Sequence, residues 1–367
     1  MKRKKALSSS LLAILLAMTL CLGGCGNGDS PTTSGSGKPV DPGEIIEITF
    51  SHMFPVVHPV HLRYEEWAKA LSKETNGRVK ITFHYAQTLL TAAETYEGVV
   101  NGVADMGQIV PAYTPGLFPM LELFDLPVDY NNCEVISKVL WQCIEEFKPE
   151  EFSAVKVLSA YAIGPGAIAT KKAVHNLEDL KGLQIRAAGL ASNYIPALGA
   201  APVSVAMPES YDALSRGTCD GVLNAWDAFI TWKLVEVADC FTMTSFMYTS
   251  PFINIMNLEK WNSLPADIQA AFEKVSEDFI GFHATAEAKN AITSIQAIID
   301  SGKEIIVLSD EEEARWMERM KPAIASAIAE RAAKGPAQAF YDRMVELAKQ
   351  YNADSPSLKE VYLDMIS

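Results

Sequence analysis

Arg186 stands near the end of a largely apolar run, "LKGLQIRAAG" (residues 180–189), in a chain whose formal charge is −14. Leu183, Ile185 and Ala187 alternate with Gln184 and Arg186, so a period of two sends the apolar side chains to one face of a strand and the arginine to the other. A guanidinium presents a planar fork of donors that matches the two oxygens of a carboxylate. An arginine so placed either receives an anion or pairs with a structural carboxylate. The histidines offer a second chemistry. His58 and His61 in "HPVH", with His52 and His84, are of the type that holds zinc, but no CxxC or HExxH accompanies them, and Pro59 suits a helix start. Catalysis finds little support: there is no GxSxG elbow, the paired carboxylates sit at helix starts, and in "SGSGKP" Pro39 stands where a phosphate loop needs Ser or Thr. The residues read as a binding protein, not an enzyme, with no cofactor and no metal. A metal-binding role for the histidines is the alternative.

The elements that must position these residues follow from composition and spacing. Lys2, Arg3, Lys4 and Lys5 precede an apolar stretch, Leu11 to Leu22, too short to span a membrane as a helix. The stretch ends in "LGGC", which resembles the lipobox of bacterial lipoproteins. That resemblance implies a signal peptide over residues 1–24, with Cys25 the lipidated first residue of the mature chain. Residues 25–45, rich in Gly, Ser, Pro and Thr, read as a flexible tether, so the protein is expected outside the cytoplasm, anchored to a membrane by lipid. Loss of the four basic leader residues takes the charge from −14 to −18, which argues against nucleic acid or anionic lipid as a partner. The remaining length suits two domains. Of the other cysteines, Cys133 and Cys143 fall ten residues apart in one predicted helix, ~15 Å along its axis and too far to bridge. A Cys219–Cys240 pair stays open.

One pattern occurs twice. "ETYEGVVNGVADMG" (94–107) and "ESYDALSRGTCDGV" (209–222) share Glu, Tyr, an acid, an aliphatic residue, Gly and Asp at matching positions. Each reads as a helix with acids in its first turn, a Gly at its C-terminal cap and a strand at once after it. Such a duplication suggests two α/β lobes of one design. "EIIEITFSH" and "RVKITFHY" read as strands around the helix "VHLRYEEWAKALSKETNG". "PVSV" and "DGVLNAW" flank the second repeated helix in a β–α–β crossover. From Pro265 to Asp300, Ile268, Phe272, Val275, Phe279, Phe282 and Ala286 form the apolar stripe of a long helix that contacts both lobes. Ser309 and Glu312 in "SDEEEARW" form a capping box that opens another.

In this order and spacing, "TLLTAAETYEGVVNGVADMG", "LEDLKGLQIRAAG", "MPESYDALSRGTCDG" and "NLEKWNSLP" resemble the solute-receptor subunit of tripartite ATP-independent periplasmic (TRAP) transporters, the dicarboxylate-binding type. The resemblance covers nearly all of the mature sequence. It implies a two-lobe periplasmic-binding-protein-like α/β fold, with hinge strands and a long helix crossing both lobes, that closes on a ligand. Lobe I is expected over 46–163 plus 250–290 and lobe II over 164–249 plus 291–367. The partners implied are a small-molecule organic acid and an ion-gradient-driven permease of a small and a large membrane subunit. Arg186 matches the arginine that grips the ligand carboxylate in the family.

The chain also departs from the family pattern. Where sialic-acid-binding members carry a second arginine, this sequence has Ala167 in "IGPGAIATKK", so sialic acid is disfavoured. In "VLNAWDAFITW", Asn224 offers an amide to a hydroxyl or keto group, and Trp226 and Phe229 offer apolar faces, with Trp232 packing on the long helix instead. Ligands of open α/β sheets sit beyond the strand C-termini. His52 and Phe54 from "SHMFPVVHP", and Gln108 and Tyr113 after the repeated helix, are therefore placed in the cleft. An aromatic or keto acid is the expected ligand; a C4-dicarboxylate or sugar acid is the alternative, and presentation of the ligand to a membrane sensor would use the same site.

Overall fold

The protein is described by a computed structural model over residues 45–367. The leader, Cys25 and the tether as far as residue 44 lie outside the described residues. In β1 (Ile46–Ser51), Ile46, Ile48 and Phe50 are buried and Glu47 is exposed, the alternation of a strand with one face inward. The helix α1 (Pro59–Glu74) starts at a proline, and the His58 ring caps it by accepting from the Val60 N–H at 3.2 Å. After β2 (Val79–His84) come α2 (Thr95–Val100), β3 (Met106–Ile109), α3 (Cys133–Phe147) and β4 (Val155–Ile163). The chain then enters a second sheet through β5 (Gly166–Thr170), α4 (Leu177–Leu180), β6 (Gln184–Arg186), α5 (Ala191–Tyr194) and β7 (Ala201–Val203). There follow α6 (Ser210–Ser215), β8 (Gly221–Ala225), α7 (Trp226–Thr231) and β9 (Cys240–Thr244), and β10 (Ser250–Asn257) returns to the first sheet.

The two sheets are built on one plan. The first runs β2-β1-β3-β10-β4, and the second runs β7-β6-β8-β5-β9 with β11 (Glu304–Val307) added at its far edge. In each, the first three strands are parallel and the next is antiparallel. The duplicated sequence holds the same place in both. Glu94 and Glu209 are the N-cap residues of α2 and α6, and Gly102 and Gly217 follow with φ of 72° and 74°. The aspartates do the same work: Asp105 Oδ2 accepts from the Thr49 N–H of β1, and Asp220 Oδ2 from the Gln184 N–H of β6, each at 2.8 Å. Ser51 pairs with Gly107, and Arg186 with Val222, so the arginine occupies the position that Ser51 holds in the first sheet.

Besides the later passage from β10 to β11, two strand-to-strand crossings join the sheets, β4 to β5 and β9 to β10. They pass so closely that a Cβ on Gly164, whose φ is +131°, would lie 2.5 Å from the Tyr248 carbonyl oxygen. From α8 (Leu258–Ser263) the chain enters α9 (Ala266–Asp300), the long helix expected from Pro265 onward. Its 35 residues span ~50 Å at 1.5 Å each. Ile268, Phe272, Val275 and Phe279 are buried as expected, with Trp67 of α1 packed on Phe272. Phe282 is not: it is 47% exposed. Steps of four from Phe279 bring His283 and Glu287 inward instead, and Ile295 and Ile298 continue into the core of the second sheet.

Ser309 caps α10 (Asp310–Arg331), accepting from the Glu312 N–H at 3.2 Å. The Glu312 carboxylate does not complete the expected box. It accepts from the Leu177 N–H and the Trp316 indole N–H instead. The next helix, α11 (Ala337–Asn352), packs on α3, with Phe147 and Phe340 ring centroids 5.0 Å apart and Arg343 paired to Glu146. The tail read above as part of lobe II thus reaches a helix of the first half, while α12 (Leu358–Ile366) supplies Leu358 and Tyr362 to the second core. Cys133, Cys143, Cys219 and Cys240 are all free and buried.

Candidate functional site

A cavity lies where the ends of the strands of both sheets meet the crossings and α9. It holds about 390 Å³ of space between atoms. The first sheet and α1 supply Phe54, Val60 and Tyr113, and the crossing strands supply Tyr161, Tyr248 and Phe252. From the second half come Asn224, Asp227 and Trp232, and from α9 Glu287.

Arg186 is 1% exposed. Its strand alternation is as the sequence implies: Ile185 and Ala187 enter the large core on one face of the sheet, and Arg186 shares the other with Val222 and Asn224. Nε donates to the Val205 carbonyl at 3.0 Å, while Nη1 and Nη2 are buried with no hydrogen-bond partner. Among the described residues no carboxylate pairs with it. A buried guanidinium with its fork unpaired is costly, so this geometry suits an anion brought to it. Arg186 is not itself part of the cavity wall. Tyr248, which is, lies within electrostatic reach of Arg186 and of Asp227; burial nonetheless holds its phenol far above the usual range.

The other expected residues divide. Phe54, Tyr113 and Asn224 line the cavity, and the Tyr113 hydroxyl accepts from the Met207 N–H of the second half at 3.2 Å. Trp226 and Phe229 do not. They lie edge-to-face, 6.0 Å between centroids, in the core under the second sheet, with Phe229 on Phe241. Trp226 opens α7, so helical spacing puts 226 and 229 on its core face while Asp227, Ala228 and Trp232 meet the cavity. Trp232, expected against the long helix, is therefore the aromatic wall. His52 and Gln108 sit in an internal network instead. His52 Nε2 faces His61 Nδ1 at 3.0 Å, and Gln108 Nε2 donates to the hydroxyls of Tyr64 and, at 2.9 Å, Tyr161. Burial, with the neighbouring histidines, lowers the His52 ring to about 3, so that ring acts as a hydrogen-bonding group rather than a cation. Among the described residues no three His, Cys, Asp or Glu side chains converge as a metal ion requires.

Sequence reasoning missed an acidic cluster at the far side of the cavity. Arg63 of α1 donates to Glu287 and, at 3.2 Å, to His283, both on α9; His283 stacks on Tyr161 with centroids 3.6 Å apart. A guanidinium only donates, so His283 Nε2 accepts and the ring is neutral, in line with burial holding its pKa well below the usual value. Burial raises the Glu287 carboxyl, with Arg63 opposing. Burial and then the Glu287 charge push Asp227 up to about 7. The i, i+4 spacing of His283 and Glu287 was visible, but their partner Arg63 lies 220 or more residues away.

A second cross-half contact carries a prediction. Asp125 Oδ2 accepts from the Leu190 N–H at 3.0 Å, and burial, helped by Glu122, pushes its pKa up to about 8. The native state then keeps a proton that the unfolded chain releases near 3.8, so this group's stabilisation declines as pH rises above that value and is gone above about 8. Between pH 6.5 and 8 the decline amounts to on the order of 2 kcal/mol. Urea melts across that window should show the wild type losing stability faster than Asp125→Asn, which keeps an acceptor oxygen and cannot ionise. Parallel profiles would refute the assignment.

With the geometry established, comparison with known proteins is direct. The profile of "Bacterial extracellular solute-binding protein, family 7" matches residues 50–331. The C4-dicarboxylate-binding periplasmic protein DctP of Vibrio cholerae is 25% identical over 293 residues, 77% of this chain and 86% of that protein. The protein of the same name from Rhodobacter capsulatus is 28% identical over 288 residues, 76% and 85% of the two chains. A TRAP periplasmic solute-binding protein from Desulfovibrio salexigens superposes with a TM-score of 0.76 at 30% identity, covering 86% of this chain and 99% of that one. Another, from Bordetella bronchiseptica with mandelate bound, gives 0.77 at 25%, covering 83% and 99%. One from Rhodoferax ferrireducens with copurified benzoate shares the fold, at 0.79 and 24% identity over 84% and 99%. This chain belongs to that family, the TRAP periplasmic solute-binding proteins.

Proposed function

We propose that the protein captures a small organic carboxylate between its lobes outside the cytoplasm and delivers it to a TRAP permease of a small and a large membrane subunit. The observation that carries this reading is the buried Arg186 fork, whose Nη1 and Nη2 have no partner among the described residues. A carboxylate would take both nitrogens, with Asn224 beside them on the same sheet face. A ligand that touches Arg186 on one half and the Phe54 wall on the other stabilises closure by bridging them. Lipidation of Cys25 would hold the receptor at the membrane surface where the permease lies.

Six aromatic residues in the wall, Phe54, Tyr113, Tyr161, Trp232, Tyr248 and Phe252, favour a ligand with an aromatic or flat keto-acid body. The relatives that bind benzoate and mandelate support this, and those named for C4-dicarboxylates support the alternative. A thermal-shift screen of residues 26–367 against benzoate, mandelate, phenylpyruvate, pyruvate, succinate and malate separates them. A ligand at about a hundredfold over its Kd adds ~2.7 kcal/mol to stability, a shift of several degrees. The largest shift is expected among the aromatic and keto acids. A larger one with succinate or malate overturns the aromatic reading, and silence across the acids with a response to zinc overturns the receptor assignment.

A further inference from the structure

We propose that the ligand is zwitterionic: a monocarboxylate whose opposite end carries a cationic nitrogen, received by Asp227 among aromatic rings, so that dicarboxylates are rejected. The inference rests on the Arg186 reading and names the ligand class for that same site. The cavity wall contains two charged residues, and both are acidic, Asp227 and Glu287. They are not equivalent. Arg63 stands behind Glu287 and is hydrogen-bonded to it, so that charge is answered from within the protein. Asp227 is buried and is in no ion pair among the described residues, Arg63 acting on it only from beyond ion-pair distance. A buried acid without an ion-pair partner of its own favours an arriving cation over a second anion.

The rings around it suit the same group. Phe54 and Trp232 lie 6.4 Å apart, centroid to centroid, and Phe252 lies 5.9 Å from Phe54 while stacking on Tyr161 at 5.1 Å. Aromatic faces beside a carboxylate are the surroundings that hold an ammonium or a quaternary nitrogen. The position of Asp227 on α7, next to the wall residues Ala228 and Trp232, sets the acid and the rings on one edge of the cavity. Asn224 connects this edge to Arg186: it stands on the arginine's face of the second sheet and lines the cavity three residues before Asp227. A ligand spanning from guanidinium to carboxylate therefore needs opposite charges at its two ends.

Calorimetric titration of residues 26–367 with probes matched in skeleton tests this. One arm is 4-aminobutyrate, 5-aminovalerate and 3-(aminomethyl)benzoate; the other is succinate, glutarate and isophthalate. At least one amino acid probe is expected to bind about tenfold or more tightly than its dicarboxylate counterpart, and Asp227→Asn should narrow that ratio by a similar factor. Equal or tighter binding of the dicarboxylates, an unchanged ratio in a folded Asp227→Asn, or no binding in either arm overturns the proposal. Should the variant not fold, the wild-type ratio decides. Arg186→Ala separates the two claims. Loss of both arms leaves the carboxylate reading standing whatever the ratio, whereas retention of both removes that reading itself.

Discussion

Arg186→Ala is expected to weaken binding of the preferred acid by 30-fold to a few thousandfold, roughly the 2–5 kcal/mol that a desolvated charge pair loses when one partner is truncated. The same substitution should leave the free protein at least as stable as the wild type. Arg186 is buried, its terminal nitrogens are unpaired, and its single hydrogen bond is to the Val205 carbonyl. Removing a desolvated charge that none of the described residues answers relieves a cost rather than creating one. The pair of outcomes separates a ligand-gripping arginine from a structural one. Melting curves with and without the acid read both at once: a lost ligand shift on an undiminished baseline supports the clamp. A lowered baseline with the ligand shift intact would assign Arg186 to the architecture. Arg186→Lys keeps the charge and loses the fork, so it should recover part of the affinity and little of the selectivity for carboxylates.

Arg63→Met should be the most destabilising single change near the cavity. Arg63, from α1, is the one cation hydrogen-bonded to Glu287, which is itself buried on α9 beside the buried Asp227. Without it two buried acids would line one cavity with no cation hydrogen-bonded to Glu287. Breaking a buried ion pair from one side costs about 3–5 kcal/mol. Methionine retains most of the arginine stem's packing, so the loss reports the charge rather than a cavity. Adding Glu287→Gln to Arg63→Met removes the stranded charge and should restore at least half of the lost stability. Urea denaturation of the wild type, both single variants and the double closes the cycle. A loss under about 1 kcal/mol in Arg63→Met, or no recovery in the double variant, would show that the pair is not holding the cluster together.

Much of the framework was legible from residue spacing. The strand alternation around Arg186 holds in the structure because Ile185 and Ala187 must enter a core while Gln184 and Arg186 cannot. The duplicated segments, 115 positions apart, are the visible part of two sheets with the same strand order, tied by aspartates at equivalent places. The 35-residue helix was readable to within a residue of its ends because one apolar stripe ran through its first half. That stripe misled at Phe282, where a step of three looked as good as the step of four that buries His283.

The cavity was legible in part. Phe54, Tyr113 and Asn224 lie at strand ends, where topology alone points ligands, and they line it. Trp226 and Phe229 do not, because the break from β8 to α7 falls at residue 226 and the phase of a six-residue helix depends on its first residue. His52 and Gln108 were expected in the cleft from strand position, yet each turns toward a partner brought by another element: His61 from α1, Tyr161 from β4.

Local pattern by itself therefore determined the strands and helices, the doubling of the sheet design and the face on which Arg186 stands, since these depend on residues within a few positions of one another. Tertiary structure decided which charges are answered. Arg63 and Glu287 are 224 residues apart, and among the described residues Arg186 meets no carboxylate; only the folded chain pairs Glu287 and leaves the Arg186 fork without a partner there. Charge pairing over such separations depends on where whole elements pack, and no spacing rule in the sequence encodes that.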